Sequence, residues 1–116
     1  MSAITTHVLD TSRGAPASDM DVVVHAWQDG VWSQVGAGRT DADGRVAGLL
    51  DGPVDPGTYR LTFATAEWFA AEKIDGFYPE VTVVFSINDR MTHYHIPLLI
   101  SPYAYSTYRG SCTPEA

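Results

Sequence analysis

Asp21-Val22-Val23-Val24-His25-Ala26-Trp27 decides the fold class: it is a short run of β-branched, apolar and aromatic residues that stops at Asp29-Gly30. β-Branched side chains fit a pleated surface and crowd a helix, and an Asp-Gly pair tolerates the positive φ of a tight turn. Gly57-Thr58-Tyr59-Arg60-Leu61-Thr62-Phe63 and Glu80-Val81-Thr82-Val83-Val84-Phe85-Ser86-Ile87 have the same build, and Asp43-Gly44, Asp51-Gly52-Pro53 and Asn88-Asp89 supply further turns. Several short strands at near-regular spacing predict an all-β domain in which two antiparallel sheets pack face to face as a sandwich. One segment departs from the pattern. Thr65-Ala66-Glu67-Trp68-Phe69-Ala70-Ala71-Glu72-Lys73 is rich in helix formers, Thr65 is placed to cap its start and Gly76 follows its end, so it predicts one short helix. Trp68 and Phe69 are assigned to packing.

The chain has 116 residues, enough for a single domain that buries roughly two-thirds of its unfolded surface and needs no disulfide. Its one cysteine, Cys112, has no intramolecular partner, so a reducing, cytoplasmic compartment is expected. No basic segment followed by an apolar one precedes the first strand, and no apolar run approaches the ~20 residues of a membrane span, which predicts a soluble, unexported protein. Seven Lys and Arg against fourteen Asp and Glu give a formal charge of −7, which argues against a nucleic-acid partner, because a phosphate backbone requires a basic face. Asp10, Asp19, Asp21, Asp29, Asp41, Asp43, Asp51 and Asp55 fall mostly in turn-like contexts and are read as solvated loop charges. Arg45 and Arg109, by contrast, stand inside motifs.

Three histidines bear on chemistry. In His93-Tyr94-His95-Ile96, alternation puts both imidazoles on one face of a strand, but a histidine pair two apart lacks the third and fourth ligands of a metal site, so no metal is expected. In Ile4-Thr5-Thr6-His7-Val8-Leu9 the same alternation groups Thr5, His7 and Leu9. His25 lies in an apolar strand and is read as structural. There is no Gly-x-Ser-x-Gly elbow, phosphate-binding loop or dinucleotide fingerprint, so neither a serine nucleophile nor a cofactor is implied.

Four further stretches belong together: Thr6-His7-Val8-Leu9-Asp10-Thr11 with Gly14 and Pro16-Ala17, Thr40-Asp41-Ala42-Asp43-Gly44-Arg45, Phe77-Tyr78-Pro79, and the terminal Tyr108-Arg109-Gly110-Ser111. In register they cover nearly the whole chain, which resembles the 5-hydroxyisourate hydrolases, the enzymatic branch of the transthyretin-like family. The resemblance implies a transthyretin-like sandwich of eight strands with one helix. Residues 1–111 would form the hydrolase domain and 112–116 a short extension. It further implies a homotetramer, a dimer of dimers with sites at the interface between dimers, and covering of the open sheet edges fits that.

The implied reaction is hydrolysis of 5-hydroxyisourate to 2-oxo-4-hydroxy-4-carboxy-5-ureidoimidazoline, without cofactor. By resemblance His7, Arg45 and His95 are catalytic, and Tyr108, Arg109, Gly110 and Ser111 line the substrate pocket. His93 has no such role, and a surface or hydrogen-bonding place is expected for it. Arginine's planar donor fork suits a flat ring bearing carbonyls. The alternative is a non-catalytic small-molecule carrier like transthyretin, which lacks the histidine and arginine motif residues and the Tyr-Arg-Gly-Ser tail. Cys112-Thr113-Pro114-Glu115-Ala116 run past the family's usual terminal serine, and they are expected to leave the site toward solvent.

Overall fold

The structure is a computed structural model that describes residues 2–88, 91–110 and 113–114. Asp89, expected in a turn, Ser111, expected in the pocket, and Cys112 therefore lie outside the described residues. In chain order the elements are β1 (Ser2–Asp10), β2 (Ala15–Pro16), β3 (Asp21–Gln28), β4 (Val31–Arg39), β5 (Leu50–Asp51), β6 (Gly57–Phe63), α1 (Thr65–Ala71), β7 (Val81–Ile87), β8 (Met91–Ser101), β9 (Ala104–Thr107) and β10 (Thr113–Pro114). Against an expectation of eight, the described residues hold ten strands, three of them only two residues long. None of their helices is long and apolar enough to cross a membrane.

β4-β3-β6-β7 form one sheet and β10-β8-β1-β2 the other, with β5 on β1 and β9 on β8. Alternation sends Val22 and Val24 of β3, Leu61 and Phe63 of β6, Ile4 and Val8 of β1, and Ile96, Leu98 and Ile100 of β8 into one core between the sheets, all essentially buried. Each such side chain contributes about 1.5–3 kcal/mol of burial. The β3–β4 hairpin closes on Asp29-Gly30, both at positive φ, with Gln28 opposite Val31.

One pairing departs from the antiparallel expectation. β1 and β8 run parallel, from Ile4 opposite Tyr94 to Asp10 opposite Ile100. Residues 11–90 lie between these strands, which supplies the long connection that a parallel pair needs. The same register sets Thr5 against His95 and turns Thr5, His7, His93 and His95 outward on one face.

The helix ends also differ from expectation. Ala64 occupies the cap position without a side-chain bond, and Thr65 is already helical, its hydroxyl donating to the Tyr78 carbonyl at 3.4 Å. At the other end Lys73, not Gly76, adopts positive φ, while Lys73 N–H bonds Ala70 O and Ile74 N–H bonds Phe69 O at 3.0 and 2.9 Å. That is the two-bond closure of a helix C-terminus. Gly76 instead packs on Phe69. Trp68 and Phe69 are buried as expected, and the Trp68 indole donates to Ser18 O at 2.7 Å.

Asp10 corrects the reading of the aspartates as solvated. It is 1% exposed and accepts from the Ser12 and Arg13 backbones, the Ser12 hydroxyl and the Arg13 guanidinium. Burial alone would raise its carboxyl pKa, but these donors outweigh it and hold the pKa below its ordinary value. The C-terminal extension is corrected too: Thr113 and Pro114 do not leave the fold but pair with β8 at His93 and Met91.

Candidate active site

The loop after β4 explains why Thr40-Asp41-Ala42-Asp43-Gly44-Arg45 reads as it does. Thr40 is buried and anchors the loop, its hydroxyl donating to Ala17 O at 2.7 Å and accepting from Met20 N–H at 2.9 Å. Asp41 then frames the turn: one carboxylate oxygen accepts from the backbones of Asp43 and Arg45 at 2.9 and 3.0 Å. Gly44 has φ +77°, and a Cβ there would stand 2.4 Å from the Val8 carbonyl oxygen, so glycine is required twice over. Its own carbonyl accepts from Val8 N–H at 2.8 Å, which fastens the turn to β1. Arg45 is consequently held opposite His7 as an isolated antiparallel bridge.

Across the sheet, Thr5 Oγ1 lies 2.8 Å from His95 Nδ1 and 2.8 Å from His93 Nε2. The two rings are 6.4 Å apart and nearly parallel, with the hydroxyl joining them. Thr5, Asp41, Arg45, Ala47, His93 and His95 are among the residues around an open cavity of about 480 Å³. Burial, foremost, lowers the His95 pKa, and the charges of His93, His7 and Arg45 lower it further. His95 is thus neutral at pH 7 and able to accept a proton. Among the described residues no group of three histidine, cysteine or acidic side chains is arranged to hold a metal ion.

Arg45 and His95 thus share this cavity, and His7, bridged to Arg45 through the backbone and near enough for its charge to act on His95, stands beside it, although the three come from the middle, the end and the start of the chain. The terminal motif divides. Gly110 N–H donates to His95 O at 2.8 Å, and a Cβ on Gly110 would come within 2.6 Å of the His95 ring. Tyr108 and Arg109 instead border a separate, mainly apolar cavity of about 340 Å³ with Val83, Phe85, Tyr94 and Ile96. Within one chain they do not face Arg45. His25 lies in β3 of the other sheet, away from this face. Sequence reading missed Thr5, whose hydroxyl alternation alone had put on the His7 face, and the framing role of Asp41.

The fold and this face define a transthyretin-type sandwich bearing an imidazole and guanidinium cluster on the outward face of its parallel strand pair. Residues 4–110 match the HIUase/Transthyretin family, and the chain belongs to that family. It is 44% identical over 109 residues to the 5-hydroxyisourate hydrolase of Salmonella typhimurium, covering 93% of this chain and 80% of that protein. The solved structure of Klebsiella pneumoniae 5-hydroxyisourate hydrolase superimposes with a TM-score of 0.82 at 36% identity, covering 93% of this chain and 98% of the other. Sea bream transthyretin in complex with thyroxine superimposes with a TM-score of 0.87 at 30% identity, covering 93% and 94%.

Proposed function

We propose that the protein hydrolyses 5-hydroxyisourate in urate degradation, opening the six-membered ring at a lactam bond to give 2-oxo-4-hydroxy-4-carboxy-5-ureidoimidazoline. The observation that carries the reading is the grouping of Arg45 and His95 around one cavity, with His7 beside Arg45, in a chain 44% identical to a 5-hydroxyisourate hydrolase. Hydrolysis of an acyl–nitrogen bond needs an activated water, stabilisation of the oxyanion and a proton for the departing nitrogen. His95 and His7 form the proton-transfer pair. As water adds to the lactam carbon, one imidazole takes its proton. The carbon–nitrogen bond then breaks with its electron pair going to nitrogen, and an imidazolium returns a proton there. Arg45 orients substrate and stabilises the developing oxyanion, and Gly110 bounds the pocket, with Tyr108, Arg109 and Ser111 completing it. No cofactor enters.

The working assembly is a homotetramer, a dimer of dimers, in the cytoplasm. Support comes from the β7 edge, where Val84 is 57% exposed, and from exposed Tyr105 and Tyr108, a surface that a second copy would cover. A carrier reading rests on likeness to transthyretin, but fold alone does not decide function, and a carrier has no use for a proton-transfer pair. Absorbance of freshly generated 5-hydroxyisourate tests the proposal: decay should be markedly faster with the protein. Decay at the spontaneous rate, together with thyroxine binding, would favour the carrier.

A further inference from the structure

We infer that Thr5 is a positioning residue that couples the proton positions of two histidines, with His93 as the far end of the relay, so that His95 keeps its Nε2 free for the substrate side. The inference rests on the hydrolytic reading of this face and deepens it by deciding how His95 works.

The argument is one of counting protons. A threonine hydroxyl has a single proton to donate and lone pairs with which to accept. Thr5 Oγ1 stands 2.8 Å from a ring nitrogen on each side, Nδ1 of His95 and Nε2 of His93. If the hydroxyl donates to one nitrogen, the other must bring its own N–H. With the hydroxyl proton on the line between the rings, a single one of the two facing nitrogens carries hydrogen, and two arrangements result. In the first, His95 bears hydrogen on Nδ1 and donates to Thr5, Thr5 donates to His93 Nε2, and His95 Nε2 is a lone pair. In the second, Thr5 donates to His95 Nδ1, and His95 carries its hydrogen on Nε2, where it cannot take up a proton.

Only the first serves a base. It also needs no rearrangement when His95 is protonated, because the imidazolium keeps its Nδ1–H bond to Thr5 while the new proton arrives at Nε2. In this arrangement His93 accepts at Nε2. The groups facing the pair are His7 on β1, Asp41 and Arg45 on the turn and the Gly110 backbone on the tail. The parallel register enforces the arrangement: Thr5 lies opposite His95, and His93, two residues earlier on the same strand, shares its face. His93 is therefore no bystander, although it need not touch substrate.

The test compares Thr5→Val, which is nearly isosteric and cannot bond either ring, with Thr5→Ser, which keeps the hydroxyl, and His93→Leu, which removes the acceptor but leaves Thr5. In each variant the His95 tautomer is read from the ¹⁵N shifts of labelled histidine, a measurement that needs no activity. Wild type and Thr5→Ser should show His95 hydrogen on Nδ1, whereas Thr5→Val and His93→Leu should shift it toward Nε2. On 5-hydroxyisourate, kcat should fall about twofold to tenfold in both shifted variants, as expected when one of two tautomers ceases to be enforced, with KM little changed and recovery in Thr5→Ser. A wild-type His95 with hydrogen on Nε2, or a tautomer indifferent to Thr5→Val and His93→Leu, would overturn the inference even if the enzyme is active. Wild-type protein that shows the expected tautomers but no turnover would instead overturn the hydrolytic reading.

Discussion

At the scale of single residues, what a side chain does is set by what lies against it. Burial, foremost, and the neighbouring charges of His93, His7 and Arg45 lower the pKa of His95. The sign has two consequences. The neutral base persists as pH falls past histidine's ordinary value, so the acid limb of kcat/KM should have its midpoint below about 6.5. A limb at or above that value would contradict the assignment. The unfolded chain also takes up this proton before the folded one does, so His95 makes stability fall as pH drops from about 6.5 toward its folded pKa. Gly110→Ala should cut turnover strongly with little change in melting temperature, because the added methyl would press on the His95 ring. Much of this was legible in the sequence: alternation alone puts His7 and Thr5 on one face of β1 and His93 and His95 on one face of β8. What alternation cannot give is the register between strands 90 residues apart, and that register is what brings Thr5 to His95.

At the scale of elements, the turn at residues 40–45 delivers Arg45, and it does so by backbone geometry. Gly44→Ala would need a strained backbone and would meet the Val8 carbonyl, costing on the order of 1–3 kcal/mol and moving Arg45 off His7. Thermal melting and activity should fall together. Asp41→Ala removes the acceptor that orders the Asp43 and Arg45 backbones, so it should lower turnover more than it lowers the melting temperature. A variant with unchanged turnover would show that the frame is not needed. The Asp-Gly signal announced this turn correctly, because its cause is local. The parallel β1–β8 pair could not be announced by local pattern, since a strand's own sequence does not say which way its neighbour runs. The helix closes on Lys73 at positive φ, which local pattern does not announce because lysine is no closing signal, while Gly76 stands where it meets the Phe69 ring.

At the scale of the molecule, His7, Arg45 and Gly110, from three of the four motifs, gather around His95 only through long-range pairing, and the family resemblance, not composition, carried that information. Composition set only an expectation about partners: a formal charge of −7 argues against a phosphate-binding face. Tyr108 and Arg109 border a cavity apart from Arg45 within one chain, which leaves their place in the pocket to the assembly. Sedimentation should give four times the mass of 12.6 kDa, and a monomer with full activity would refute the tetramer as the working unit. Truncation after Ser111 should leave the rate within a few fold, since β10 adds only the two-residue pairing of Thr113 and Pro114 to the edge of β8. Removal from Arg109 onward should cost far more, because the Gly110 contact with His95 goes with it. The central claim is that this face performs the hydrolysis, and its most direct measurement is the turnover of 5-hydroxyisourate by His7→Ala, Arg45→Ala and His95→Ala beside wild type, with oligomer and melting temperature checked for each. Each substitution should lower the rate about a hundred- to a thousandfold while the protein stays folded, the usual cost of losing one preorganised group; His95→Ala turning over at the wild-type rate would contradict the account.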